Sequence, residues 1–302
     1  MLCCDTGRVV IKKTAYVAES AWDILSSSGR GEILMVNSSG VYLSLNGSVV
    51  FLCDESMGVV PAGISVENFG KLVAWLKIAQ GDTLSFDNRV LHFNTGSIEI
   101  VKKNTKTQEK HNVFPELNLV QRAATELLSL NRARGISLLD APLVLVNYDE
   151  NIIELNPYCH AAYPLLYSLK NSLSSDNRDE QAVRATESLI GLGIGLTPSA
   201  DDVILGMIFA FRKLREKAPK SVEIFCNTVS ELAESRTGIV SAAYLKAVLR
   251  GDSFERMERV WQGLCGVIPL DITPLVEIGG SSGTEMLLGV LLALCVCGYG
   301  IT

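Results

Sequence analysis

The 302 residues are 48% apolar and 20% charged, enough apolar side chain for two ordinary cores and too little charge for a disordered chain. A net charge of −6, with no run of Lys and Arg dense enough to reverse it locally, excludes the electrostatic footprint of a nucleic-acid binder. Met1 to Asp5 lack the charged and apolar regions of a secretory signal, the most apolar run (Met286 to Val296) is too short for a bilayer, and the eight cysteines are scattered without a C-x-x-C pair. Together these predict a cytoplasmic protein with reduced thiols, no membrane partner and no zinc site.

From Arg8 to about Val101, short β-branched and aromatic runs are separated by glycine and serine turns. The strand candidates are 9–11, 33–36, 41–45, 49–52, 90–93 and 98–101, with hairpin signals at Asn46-Gly47 and Asn94-Thr95-Gly96. One helix is expected over Val66 to Gln80. So many short edges are best protected by a small barrel or a curled antiparallel sheet. The lysine-rich stretch Lys102 to His111 has no apolar period and reads as a linker.

After Phe114 the apolar period lengthens to about 3.6. Helices are expected at 117–134, 162–172, 180–190, 201–216, 221–234, 240–250, 254–264 and 285–297, with a small hairpin around 143–155. The fold class is therefore α+β: a β-rich N-terminal domain, residues 1–110, and a mainly helical C-terminal domain, residues 111–302.

The densest signal is Gly191-Leu192-Gly193-Ile194-Gly195-Leu196-Thr197-Pro198-Ser199-Ala200-Asp201-Asp202, which runs into an apolar helix. Thr197 fits an N-cap and Pro198 the first helical position. Bare N–H groups and the positive end of the helix dipole suit phosphate or a small carboxylate. Neither the dinucleotide-binding spacing nor a P-loop lysine is present. A second turn, Gly279-Gly280-Ser281-Ser282-Gly283-Thr284-Glu285, also opens a helix. It repeats the template Ser199-x-x-Asp202-x-x-Leu205-Gly206-x-x-x-Ala210 as Ser282-x-x-Glu285-x-x-Leu288-Gly289-x-x-x-Ala293.

Two explanations of the repeat stay open. One is architectural: a capping box at each serine, and small faces that let two helices cross closely. The other is an anion site. Adjacent carboxylates would repel an anion, so the second explanation needs a cation: Mg²⁺ held by Asp201 or Asp202, or the guanidinium of Arg236. The string Gly279 to Gly283 also matches the G-x-S-x-G nucleophile elbow, but that fold needs a histidine after the serine, and the last one here is His160.

The string GLGIGLTPSADD resembles the signature of a bacterial AllH-like family, in which a G-x-G-x-G-L-T-P-S-G-D-D segment is diagnostic. Arg236-Thr237 with Ser241, Leu245, Ala247 and Gly251, and the turn Gly280 to Thr284, agree in order, so the resemblance covers about residues 185 to 295. Ala200 stands where the family usually has glycine, and Glu285 where it often has aspartate. The resemblance implies a subunit of oxamate carbamoyltransferase, acting with a succinyl-CoA-ligase-like subunit and a third. That complex turns oxalurate and phosphate into oxamate and carbamoyl phosphate in allantoin degradation, a branch of purine catabolism.

On this reading Asp201, Asp202 and Arg236 are the candidate catalytic residues. Ligand contacts fall to Gly191, Gly193, Gly195, Thr197, Ser199, Thr237, Ser241, Gly280, Ser281, Ser282, Gly283 and Thr284. The expected partners are a small anionic metabolite (phosphate, carbamoyl phosphate, oxamate or oxalurate) and other subunits, as a hetero- or homo-oligomer. A non-catalytic scaffold, or a metabolite-sensing subunit, is the alternative.

Overall fold

A computed structural model describes residues 2–3, 9–103, 113–134, 157–175 and 178–300. The expected linker, from residue 104 onward, and the expected hairpin at 143–155 lie outside the described residues. The chain forms two compact units, Met1–His111 with Arg250–Glu255, and Asn112–Leu249 with Arg256–Thr302.

The first unit is a closed barrel. Its strands are β1 (Leu2–Cys3), β2 (Val9–Val17), β3 (Gly29–Val36), β4 (Gly40–Leu45), β5 (Ser48–Asp54), β6 (Gly63–Val66), β7 (Thr83–Asp87), β8 (Val90–His92) and β9 (Ser97–Lys102). The hydrogen-bonded ring runs β2-β6-β5-β4-β3-β7-β8-β9 and closes where β9 pairs with β2, while β1 adds to β2. Closure removes the exposed edges that so many short strands would otherwise present. Two pairs, β5 with β6 and β2 with β9, are parallel, so the alternative of a purely antiparallel sheet is not what forms.

Local chemistry explains the hairpins. Asn46 and Gly47 both take positive φ, 50° and 81°, the twist that a two-residue connection needs. Ile33, Leu43, Leu45, Val50, Leu52, Ile64, Leu91 and Ile98 are fully shielded within one apolar cluster. Helices α1 (Glu19–Leu25) and α2 (Phe69–Leu76) add Ala21, Leu25, Phe69, Leu72 and Leu76 to it. Residues 250–255 join this unit through buried Asp252, which accepts from the Ala62 amide at 3.0 Å and from the Ser20 hydroxyl. Glu255 adds a bond from its amide to the Val59 carbonyl at 2.8 Å.

The second unit is helical: α3 (Leu117–Arg134), α4 (Pro157–Leu173), α5 (Asp179–Leu189), α6 (Ser199–Lys213), α7 (Ser221–Arg236), α8 (Ile239–Arg250), α9 (Glu255–Leu264), α10 (Thr273–Val276) and α11 (Ser282–Val296). Every residue from Ser199 to Phe211 and from Gly283 to Leu294 is buried. Helices α6 and α11 are thus the apolar centre, and the amphipathic helices supply its cover. Among the described residues no helix is long and apolar enough to cross a membrane.

Burial also sets the cysteine chemistry. It pushes the Cys53 thiol up to about 12 and those of Cys226, Cys265, Cys295 and Cys297 to about 11. All are protonated at pH 8 and poor nucleophiles. Alkylation of these five at pH 8, mapped by peptide mass spectrometry, is expected to run roughly a hundredfold slower in the native protein than in denaturant. Native rates near those of denatured protein would contradict the packing described.

Candidate functional site

The glycine-rich segment leaves α5 at Leu189 and folds back over the start of α6. Gly191 and Gly193 have φ of 82° and 135°, which side-chain-bearing residues rarely adopt. There is no room for a side chain either: a Cβ on Gly191 would lie 2.3 Å from the Arg236 carbonyl oxygen, and one on Gly193 2.4 Å from the Ser199 nitrogen. Because the loop lies so close, it caps the helix itself. The Ala200 amide donates to the Leu192 carbonyl at 3.0 Å, and the Asp201 and Asp202 amides donate to the Pro198 carbonyl at 2.9 and 3.2 Å.

Pro198, and not Thr197, is therefore the N-cap, and the first-turn amides at 200–202 are already engaged. The donors left over belong to the loop. The amides of Gly193, Ile194, Gly195, Leu196 and Thr197 have no hydrogen-bond partner among the described residues, and Ile194 is 54% exposed.

Asp201, buried at the start of α6, ties this loop to the α7–α8 turn. Its carboxylate accepts from the Gly191 amide at 2.8 Å, the Thr237 hydroxyl at 2.5 Å and the Ser241 hydroxyl at 2.6 Å. Burial raises its pKa, and these three bonds hold the rise in check. Arg236 does not reach either aspartate. Its guanidinium pairs with Glu187 on α5 at the surface.

The second turn meets the first because α6 and α11 cross at glycine. A Cβ on Gly206 would lie 2.0 Å from the Met286 carbonyl oxygen, and one on Gly289 2.0 Å from that of Val203. Backbone against backbone at the crossing brings the two helix starts side by side, with the Thr197 and Ser282 hydroxyls 3.2 Å apart. Residues 189–294 match the family of oxamate carbamoyltransferase subunit AllH. The AllH match begins where α5 ends and spans both turns, the Asp201 clamp and the glycine crossing, while the barrel lies outside it. No solved structure matches the chain.

Within the AllH-matching segment, Asp202 and Glu285 are each 1% exposed. Burial raises the Asp202 pKa well above the usual carboxylate range, the neighbouring Glu285 charge adds to the rise, and the Ser282 and Thr197 hydroxyls oppose it. The two capping boxes expected from the repeated template do not form. The Ser199 hydroxyl has no hydrogen-bond partner, and Glu285 Oε2 accepts from Ser281 at 3.2 Å instead of folding back on Ser282. The helix-crossing half of the architectural explanation holds, the capping half fails, and a buried polar cluster is left unexplained by either.

The structure thus sorts the candidate residues into two groups. Thr197 and Asp202 converge with Ser282, and Ser281 with Glu285, while Gly191, Asp201, Thr237 and Ser241 form the clamp and the Ser199 hydroxyl is buried without a partner. Gly283 and Thr284 are buried in the start of α11, with Gly283 against the Leu275 carbonyl, and Gly280 has open space around it. Sequence reasoning missed two participants, Glu187 and Glu285. The template alignment had placed Glu285 opposite Asp202, which was the available signal; nothing in the local pattern marks Glu187. Among the described residues no three His, Cys, Asp or Glu side chains converge.

Proposed function

We propose that this chain is an AllH-type subunit of a cytoplasmic carbamoyltransferase complex, and that it holds a small oxyanion between its two glycine turns. One observation carries the reading: turns 85 residues apart in sequence are brought to hydroxyl contact, Thr197 to Ser282 at 3.2 Å, beside loop amides that have no acceptor among the described residues. The amides of Gly193, Gly195 and Thr197 and the hydroxyls of Thr197 and Ser282 are donors suited to phosphate or carboxylate oxygens. Asp201 serves the site by fixing the loop. Arg236, 44% exposed at its side chain, reaches an anion by exchanging the Glu187 carboxylate for it.

The chemistry is acyl transfer. A phosphate oxygen attacks the carbamoyl carbon of oxalurate, the bond from that carbon to the oxamate nitrogen breaks, and the nitrogen takes up a proton. Carbamoyl phosphate and oxamate leave. Placement in allantoin degradation follows from that substrate. Partner subunits complete the enzyme, and Ile194 in the glycine loop and Ile239 at the start of α8, 54% and 55% exposed, suit contact with them. The scaffold alternative, in which the glycines serve only close packing, predicts no oxyanion binding.

The test is the assembled complex, assayed for carbamoyl phosphate formed from oxalurate and phosphate. A Thr197→Val/Ser282→Ala double variant is expected to lose about a hundredfold in phosphate-dependent rate, the scale of losing one or two oxyanion donors, with its circular dichroism spectrum unchanged. Full activity in that variant, or no phosphate dependence in the wild type, refutes the reading.

A further inference from the structure

An amide nitrogen is a poor leaving group as an anion, so the acyl transfer proposed above needs an acid that delivers a proton as the carbon–nitrogen bond breaks. The side chains at the two turns offer few. The Arg236 guanidinium keeps its protons and pairs with Glu187, and Asp201 accepts from three donors, which favours its ionised form. Asp202 differs. It is 1% exposed, and its Oδ2 atom has no hydrogen-bond partner among the described residues, so no donor steadies a charge on that oxygen. The titratable groups that face it are Glu285 on α11 and Asp201 on its own helix, both acids, and among the described buried residues none is Lys, Arg or His. Burial first, and then the neighbouring acids, favour the protonated form of Asp202.

A buried acid needs an outlet for its proton, and the two turns supply one. The Ser282 and Thr197 hydroxyls are hydrogen-bonded to the Asp202 carboxyl group, lie 3.2 Å from each other and are themselves half-buried. They therefore connect the interior to the face where the loop amides stand. A hydroxyl is donor and acceptor at once, so it can take a proton from below while giving its own to an atom above. We propose that Asp202 is the proton source of the acyl transfer, acting through the hydroxyls of Ser282 and Thr197; the proposal rests on the oxyanion reading of the same site. Asp202 passes its proton to a turn hydroxyl, and that hydroxyl passes its own to the oxamate nitrogen as the bond to the carbamoyl carbon breaks and leaves its electron pair on nitrogen. The proton that hydrogen phosphate loses on becoming carbamoyl phosphate returns to Asp202 by the same path. Asp202 thus touches no reacting atom and serves the reaction from behind the hydroxyls.

Asp202→Asn keeps the shape and the bonds to both hydroxyls but has no proton to release. In the assembled complex, its kcat for phosphate-dependent carbamoyl phosphate formation is expected to fall about a hundredfold or more, the scale of a general acid, with KM for phosphate little changed. Wild-type kcat should fall as pH rises, because the acid must hold its proton before transfer, and the variant should lose that alkaline limb. A merely structural role would not move the limb. Infrared spectra of the full wild-type chain at neutral pH should carry the C=O band of an un-ionised carboxylic acid, absent from the Asp202→Asn spectrum. Should that variant fail to fold by circular dichroism, the wild-type band and its loss at alkaline pH still report the acid. No such band at neutral pH overturns the relay, as does full kcat, or a change in KM alone, in Asp202→Asn; a phosphate-dependent wild type then leaves the oxyanion reading standing. A wild type without phosphate dependence overturns the oxyanion reading and the relay with it.

Discussion

Asp201→Ala is expected to destabilise the helical unit by about 3 to 5 kcal/mol, the scale of losing one partner from a buried charged network. Three donors lose their acceptor at once. The Thr237 and Ser241 hydroxyls can turn elsewhere, but the Gly191 amide, held at φ 82° against the Arg236 carbonyl, cannot. Asp201→Asn keeps the shape and one acceptor oxygen, and the hydroxyls can accept from its amide, so its cost falls to about 1 to 2 kcal/mol. Urea unfolding followed by circular dichroism separates the two. An alanine variant within 1 kcal/mol of wild type would show that the clamp contributes little. If the loop amides bind an oxyanion as proposed, that binding should be lost in the alanine variant, since the loop is then untethered.

Gly206→Ala and Gly289→Ala should each destabilise by about 3 kcal/mol or more, at or above the upper end of ordinary overpacking. The comparison of magnitudes is what makes the prediction sharp. Alanine is the better helix former by about 1 kcal/mol, so a glycine in α6 or α11 without close neighbours would gain from the change. Here the new methyl would sit 2.0 Å from a backbone oxygen of the other helix, and only separation of the helices relieves it. The double variant should cost much less than the sum, because one separation serves both. Gly70 in α2 is the control: exposed, with open space where its Cβ would go, it should gain about 0.5 kcal/mol as alanine. Thermal or urea unfolding reads all four variants. Neutral Gly206→Ala would mean that the helices cross farther apart than described here.

Element type was largely legible because it rests on local patterns. Helix α3 matches its expected span, and the others shift by a few residues, mostly where caps decide the ends. The strand β7 was missed despite a clear signal, Leu84 and Phe86 inward between exposed Thr83, Ser85 and Asp87. Helix α1 was missed with better excuse: no side chain caps it and it is only two turns long. β6 (Gly63–Val66) had no expected element apart from Val66, taken as the start of a helix, because Ile64 and Val66 join β5 and β2, pairings that no local window contains.

The site shows the same division. The glycine strings and the repeated template located both turns, and the glycine crossing was one of the two explanations left open. Roles were harder to read. Asp201 and Asp202 are neighbours in sequence, yet consecutive helical residues point about 100° apart. One therefore serves the loop and α8, and the other faces Glu285 on α11. Arg236 was the obvious cation to balance them, and it lies instead with Glu187.

By itself, then, the sequence determined a β-rich half, a helical half and two polar turns opening apolar helices, because periodicity, turn chemistry and glycine placement act over a few residues. Only tertiary structure decided that the strands close into a ring, that the turns meet, and which acid holds the loop and which faces the other helix. Those outcomes depend on contacts between residues tens of positions apart, whose geometry is set by packing the whole core at once.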